Sequence, residues 1–180
     1  MHEQTAYFVN QIQNLNAQYT QETGKIKKCL THTFGCQMNE RDSEILFGFL
    51  SQMGYEKTDV EADADFILFN TCCIREKAES KVLSQLGELK KLKHKNPDLI
   101  IGVCGCMTAQ EHRLEHFKRS YHYVDFVFGT GGAYMLPELV LNALKKGKRL
   151  FHMDRETPKI AEGIPVVRES GYKAWVSIMY

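Results

Sequence analysis

The fold is decided by the stretch Asp65-Phe66-Ile67-Leu68-Phe69-Asn70, an apolar run between two polar ends. Its central residues show no polar alternation, which predicts a strand that is buried on both faces, as in a parallel sheet. A second run of the same kind occupies residues 99–104, after a long amphipathic segment. Parallel strands need crossover connections, which are usually helices. These two stretches therefore predict an α/β domain.

The same alternation of strand and helix extends outward in both directions from residues 65–70. The predicted strands are residues 25–33, 65–70, 99–104, 125–129 and 149–153. The predicted helices are residues 39–53, 74–93, 108–119 and 134–146, with Asn39 as the N-cap of the first. This order predicts a doubly wound, mostly parallel α/β sheet with helices on both faces, similar to flavodoxin or Rossmann folds.

Changes in composition divide the chain into four regions. Residues 1–24 are polar, with apolar positions at loose helical spacing, and predict a peripheral helical extension. Residues 25–154 carry the strand and helix pattern, and residues 155–171 are predicted to be a linker. Residues 172–180 alternate like a strand that lacks a partner, so we expect a truncated further domain to begin there.

The composition excludes several classes of protein. The 180 residues include 43% hydrophobic and 25% charged side chains, which is typical of a globular protein. The net charge of +1 excludes nucleic-acid binding by bulk charge alone. Residues 99–107 are about half as long as a membrane span, and the amino end lacks the pattern of a signal peptide. We therefore expect a cytoplasmic protein without a membrane partner, whose thiols are reduced or metal-bound.

The charges are unevenly distributed along the chain. Residues 40–65 hold eight acids and two bases, whereas residues 75–95 hold seven Arg or Lys and three Glu. A second basic group occupies residues 145–149. Solvated helix faces explain such runs in most proteins. The alternative is a polyanion contact at Lys90, Lys91, Lys93 and Lys95, although no aromatic residues are interleaved with them in the sequence.

Three cysteines occupy the same kind of position. Cys36, Cys72 and Cys106 each follow a predicted strand and precede a predicted helix. The carboxyl ends of parallel strands border a common crevice, so the three side chains are expected to converge. Three thiolates favour an iron–sulfur cluster or zinc over magnesium or calcium. Three ligands leave one metal position open, which indicates chemistry rather than a closed structural site.

The remaining cysteines are predicted to play other roles. Cys29 lies inside the first predicted strand and Cys104 at the end of the third, where packing is the expected role of both. Cys73 adjoins Cys72 and is predicted to be a bystander or to support the site. Because residues 104–106 read Cys-Gly-Cys, spacing alone leaves open which of these two cysteines is the ligand.

Three motifs resemble the methylthiotransferase family, in particular its tRNA-modifying members. They are Thr33-Phe34-Gly35-Cys36-Gln37-Met38-Asn39-Glu40-Arg41, Asn70-Thr71-Cys72-Cys73-Ile74-Arg75-Glu76-Lys77-Ala78 and Gly105-Cys106-Met107-Thr108-Ala109-Gln110-Glu111. The resemblance implies that residues 25–154 carry an auxiliary 4Fe–4S cluster on Cys36, Cys72 and Cys106, which favours Cys106 over Cys104. It also implies that residues 172–180 begin a radical S-adenosylmethionine domain. That domain would hold a second 4Fe–4S cluster and S-adenosylmethionine, and its Cys-x3-Cys-x2-Cys motif is absent from the 180 residues.

The resemblance also implies a reaction and a partner. The implied reaction of the tRNA-modifying members adds a methylthio group to C2 of an isopentenylated adenosine next to the anticodon, so the implied partner is tRNA. We expect the chain to be monomeric, to contain no catalytic residue of its own and to be inactive alone. Two alternatives remain at this point: a structural zinc-binding domain and an α/β domain that binds protein partners.

Overall fold

Six parallel strands form a single sheet at the centre of the protein. The computed structural model describes residues 3–73, 76–153, 165–168 and 174–175. The strands are β1 Lys28–Thr33, β2 Glu56–Lys57, β3 Phe66–Thr71, β4 Ile100–Gly105, β5 Phe126–Phe128 and β6 Leu150–His152. Their order in the sheet is β2-β1-β3-β4-β5-β6, and every pairing is parallel. The prediction of a doubly wound α/β fold is confirmed.

Five α-helices cover the two faces of the sheet. They are α1 Glu3–Thr23, α2 Gln37–Gln52, α3 Glu76–Lys95, α4 Glu111–Ser120 and α5 Leu136–Leu144. Short 3-10 helices occupy Glu61–Asp63, Cys106–Ala109 and Ala133–Met135. Helices α1, α2 and α5 pack against one face, and α3 and α4 pack against the other. Among the described residues, no helix is both long and apolar enough to cross a bilayer.

The two central strands, β3 and β4, are buried along their whole length. Their register runs from Phe66 opposite Ile100 to Thr71 opposite Gly105. Alternate side chains enter the two cores, so that Phe66 faces α2 and α5 while Ile67 faces α3. Because burial on both faces requires apolar side chains at successive positions, the sequence has continuous apolar runs here rather than alternation.

The chain changes direction across the sheet between β1 and β3. From β1 it crosses through α2 to β2 on one side, and from β3 it crosses through α3 to β4 on the other. The loops that follow β1 and β3 therefore lead to helices on opposite faces of the sheet, which is the topology at which ligands bind in open α/β sheets. Cys36 and Cys72 lie in these two loops, and Cys106 lies in the loop that follows β4.

One crossover departs from the right-handed rule for parallel strands. The connections β4–α4–β5 and β5–α5–β6 progress in the same direction across the sheet. Helix α4 nevertheless packs on the face of α3, whereas α5 packs on the face of α2. Two such crossovers with helices on opposite faces have opposite hands, so one of them is left-handed.

Several predicted boundaries are wrong. Strand β2 was not predicted, because two exposed residues leave no apolar signal. Helix α2 begins at Gln37 with Cys36 as its N-cap, so Asn39 lies in its first turn instead of capping it. A 3-10 helix occupies Cys106–Ala109, and α4 begins only at Glu111. The predicted start of α3 at Ile74 lies outside the described residues, as do most of residues 155–180.

Helix α1 is part of the core and not the peripheral extension that its polar composition predicts. The α1 side chains of Val9 and Ile12 are buried where this helix packs against α2 and α5. The buried side chain of Asn16 donates a hydrogen bond from Nδ2 to the carbonyl of Met53, at 2.9 Å. The apolar stripe of α1 is narrow, because Leu15 on the same helix is exposed.

We expect the substitution Ile12→Ala to lower the free energy of unfolding by about 2–4 kcal/mol, because it removes a fully buried side chain and leaves a cavity. Urea unfolding followed by circular dichroism measures the change. The matched control is Leu15→Ala on the exposed side of the same helix, which should shift stability by less than about 1 kcal/mol. Equal effects of the two substitutions would contradict the burial of α1.

Candidate metal centre

Cys36 is placed by the turn that links β1 to α2. It is the N-cap of α2 with extended backbone angles, φ −105° and ψ −179°, and its side chain is exposed. Its carbonyl accepts hydrogen bonds from the amides of Asn39, at 3.0 Å, and Glu40, at 3.3 Å. The thiol therefore stands at the amino end of a sixteen-residue helix, at the carboxyl edge of the sheet.

The turn before Cys36 packs directly against Cys72. Gly35 has φ +124°, a conformation that favours glycine. A Cβ atom added at Gly35 would lie 2.4 Å from Cβ and 2.9 Å from Sγ of Cys72. Since no side chain fits in this space, glycine lets the first cysteine loop reach the second. Cys72 is buried, with 2% of its surface exposed.

A second glycine brings the third cysteine loop to the same place. Gly105 has φ +100° and ψ −168°, and its added Cβ would lie 2.2 Å from the carbonyl oxygen of Thr71. The Thr71 hydroxyl donates to the carbonyl of Cys104 at 2.6 Å. Cys106, which follows Gly105 directly, is half-buried. Residues 71–72 thus contact both flanking cysteine loops.

The cysteines of the other loops influence the electrostatics of Cys106. The pKa of Cys106 is raised to about 11, first by burial and then by the charges of Cys73, Cys72 and Cys36. All three of these cysteines therefore lie within electrostatic reach of Cys106. Burial and like charge therefore disfavour the thiolate form of Cys106 in the free protein.

The other cysteines fall into two groups. Cys29 and Cys104 are buried in the core on the α2 face, as expected, and burial raises the pKa of Cys29 to about 12 and that of Cys104 well above its usual value. Cys73 is half-buried and contributes to the field at Cys106. Burial also raises the pKa of Asp42 on α2 to about 6, opposed by the neighbouring Arg41.

A buried pair of asparagines connects the loops beneath the cysteines. Asn39 donates from Nδ2 to Oδ1 of Asn70 and to the carbonyl of Thr71, both at 3.0 Å. In return, Asn70 donates from Nδ2 to the carbonyl of Asn39, at 2.8 Å, and to Oγ of Ser43, at 3.0 Å. The Cys36 amide donates to Oδ1 of Asn39, at 3.3 Å. This network fixes the amino end of α2 to the carboxyl end of β3.

Sequence reasoning missed the role of this asparagine pair. Asn39 was assigned as a helix cap, and Asn70 was assigned only as the end of a strand. The two positions are 31 residues apart, and local patterns carry no information about such a contact. The available signal was that polar residues flank both cysteine motifs at positions that the fold buries.

We expect Asn39→Ala to lower the free energy of unfolding by about 2–3 kcal/mol, because buried groups of Asn70 and Thr71 would lose their partner. Chemical denaturation measures this loss. The control Asn10→Ala removes an exposed amide from α1 and should leave stability within about 0.5 kcal/mol. A neutral Asn39→Ala would show that the network does not hold the loops together.

The three cysteine thiols fit a soft metal centre, but their side chains are not arranged around a common point. In the described parts of the chain, no three Cys, His, Asp or Glu side chains form a group that could hold a metal ion. The thiols on the three loops are nevertheless the ligands that iron–sulfur clusters use. Like charge at Cys106 is the repulsion that a bound cation would relieve.

Comparisons with known proteins give a consistent result. The model of the family described as Uncharacterized protein family UPF0004 matches residues 28–129. The chain is 46% identical over 173 residues to the tRNA-2-methylthio-N(6)-dimethylallyladenosine synthase of Acetivibrio thermocellus, covering 96% of this chain and 36% of that protein. It is 51% identical over 148 residues to the protein of the same name from Clostridium tetani, covering 82% and 33%. The chain thus spans about a third of the length of these curated relatives.

Proposed function

The chain belongs to the UPF0004 family, and from this premise we propose that it is the part of a tRNA methylthiotransferase that holds an auxiliary 4Fe–4S cluster. The relatives it resembles are named as tRNA-modifying synthases. Their names support a transferase that modifies tRNA. The cluster and its ligands are proposed from the geometry of this chain.

The observation that carries the proposal is the position of Cys36, Cys72 and Cys106. They follow β1, β3 and β4, which are neighbours in the sheet, and they lie at its carboxyl edge. Two of the loops meet through the contact between Gly35 and Cys72, and the third meets them through Gly105. Cysteines that serve only for packing would not need two glycines with positive φ to bring their loops together.

In the proposed site, the protein supplies three thiolate ligands and a fixed framework. Cys36 is exposed and Cys106 is half-buried, whereas Cys72 is buried. The Asn39–Asn70 pair holds the first and second loops at a constant separation. Because the free side chains do not form a closed metal group, the thiols must turn toward each other when they bind. When bound, the cluster would supply one iron without a protein ligand, where sulfur can be presented.

The remaining parts of the reaction are assigned to portions of the protein beyond this chain. We propose that a radical S-adenosylmethionine domain with its own 4Fe–4S cluster activates C2 of an N6-isopentenylated adenosine in tRNA. The motif Cys-x3-Cys-x2-Cys, which would ligate that cluster, is absent from the 180 residues. We therefore propose that this chain alone produces no methylthiolated adenosine. We also propose that the active enzyme is cytoplasmic.

Anaerobic reconstitution of the chain with iron and sulfide tests the proposal. We expect about equal amounts of iron and acid-labile sulfide, a brown absorbance and little zinc. Zinc bound in preference to iron would support a structural zinc domain instead, and absence of both metals would support a domain that binds protein partners. Mass spectrometry of tRNA nucleosides, after incubation with S-adenosylmethionine, should show methylthiolation by the full-length Acetivibrio thermocellus relative and none by this chain.

A further inference from the structure

A basic cleft opens at the edge of the sheet opposite the cysteines. It has a volume of about 810 Å³ and lies between the last turns of α3 and the connection that precedes β5. Its lining includes Lys90, Lys91, Lys95, Pro97, His122 and Tyr123. Strand β4 separates this edge from the cysteine loops by six residues, or about 20 Å at ~3.3 Å per residue.

The cleft carries uncompensated positive charge. Lys93 is neutralised, because its Nζ lies 2.9 Å from the carboxylate of Asp125 and also donates to the carbonyl of Leu99. The side chains of Lys90, Lys91 and Lys95 are exposed. Within residues 3–73, 76–153, 165–168 and 174–175, no carboxylate forms an ion pair with any of these three lysines, and no acid lines the cleft.

The second basic segment of the sequence, residues 145–149, is folded onto the same edge. Nζ of Lys146 lies 3.0 Å from the carboxylate of Asp98, one residue after the cleft-lining Pro97. Arg149 donates to the carbonyls of Val124 and Tyr121, each at 2.8 Å, on the two sides of the cleft-lining residues 122–123. The second basic segment thus lies beside the cleft, with the charge of Lys146 paired to Asp98 and Arg149 bonded to backbone carbonyls.

Aromatic groups stand beside these lysines, although none is interleaved with them in the sequence. Tyr123 donates from its hydroxyl to the carbonyl of Leu86 at 2.9 Å, which holds its ring against α3. Its ring also meets that of Tyr121 edge-on, with centroids 5.9 Å apart. His122 adds an exposed ring to the lining. A basic groove with aromatic rings beside it is typical of surfaces that bind nucleic-acid phosphates and stack bases.

We propose that this cleft binds the sugar–phosphate backbone of RNA. The choice of RNA over another polyanion rests on the proposed function and on the rings beside the lysines. A nucleotide at the cysteine edge and a phosphate in the cleft would belong to different parts of one RNA molecule, because about 20 Å of sheet separates them. The cleft would hold the RNA without reading its sequence.

The test measures binding of an unmodified tRNA transcript to this 180-residue chain by fluorescence anisotropy, over a series of salt concentrations. The variant carries Lys90→Ala, Lys91→Ala and Lys95→Ala. We expect its affinity to fall at least about tenfold at low salt. The plot of log K against log salt has a negative slope, and its magnitude should decrease by about 2–3, at 0.7–0.9 for each lost phosphate contact.

A matched control removes the same charge elsewhere, through Lys25→Ala, Lys81→Ala and Arg168→Ala, which are all exposed and outside the cleft. For this control variant, the magnitude of the salt slope should decrease by less than 1. Equal losses in the two triple variants, absence of tRNA binding at low salt, or equally tight binding of polyglutamate would overturn the proposal. Failure of the cluster assay with lysine-dependent tRNA binding intact would refute the proposed function and support the cleft.

Discussion

Replacing Cys36, Cys72 or Cys106 singly by Ala should abolish stable iron binding by the reconstituted chain. The three thiols are contributed by three separate loops. The loop of Cys36 contains no second cysteine that could replace the lost ligand. Two remaining thiolates are too few to hold a 4Fe–4S cluster against a chelator. The measurement is bound iron and sulfide after anaerobic reconstitution and gel filtration in the presence of chelator.

The matched control is Cys104→Ala, two residues before Cys106. Its side chain is buried in the α2 face of the core, so the substitution should cost some stability and leave the iron content unchanged. Cys29→Ala should behave in the same way. Loss of iron in Cys104→Ala together with retention in Cys106→Ala would show that the ligand assignment in the third loop is wrong.

Gly105→Ala should lower the free energy of unfolding by at least about 3 kcal/mol. Its φ of +100° and ψ of −168° lie in a region that only glycine adopts readily, which costs about 1–3 kcal/mol for another residue. The added Cβ would also lie 2.2 Å from the Thr71 carbonyl oxygen, at a buried position at the carboxyl end of β4. Thermal unfolding should show a drop in Tm of about 10 °C.

The control for this substitution is Gly87→Ala in α3. No atom lies within 4 Å of the added Cβ at Gly87, and an exposed helical glycine costs about 0.5–1 kcal/mol relative to alanine. Gly87→Ala should therefore stabilise the protein slightly. If Gly105→Ala were equally harmless, the close approach of the third loop to β3 would be refuted.

The sequence predicted the parts of the fold that depend on burial. Strands β3 and β4 produce continuous apolar runs because both of their faces are covered, and such runs are unambiguous. Strand β2 was missed, since its two residues are exposed at the edge of the sheet. The start of α2 was misplaced by two residues because Asn39 resembles a cap, while its amide is in fact used by a strand 31 residues away.

The candidate site was predictable only in outline. Equivalent positions after successive strands identified Cys36, Cys72 and Cys106, and the parallel sheet brings their loops to one edge. Their environment was not predictable, because the pKa of Cys106 depends on burial and on cysteines from other loops. The same limit applies to the basic cleft, whose lysines and rings come from separate segments. Tertiary contacts between distant residues leave no local pattern.

The burial of β3 and β4 has a consequence for the lifetime of the protein without the proposed cluster. Amide protons in these strands exchange with solvent only when the central sheet opens, which is the costliest opening in such a fold. The second and third cysteine loops are anchored to these strands. If the proposed cluster were lost after oxidation, the loops would therefore stay in place, and the same molecule would remain a template for a new cluster. Small zinc domains behave differently, since they unfold when the metal is withdrawn.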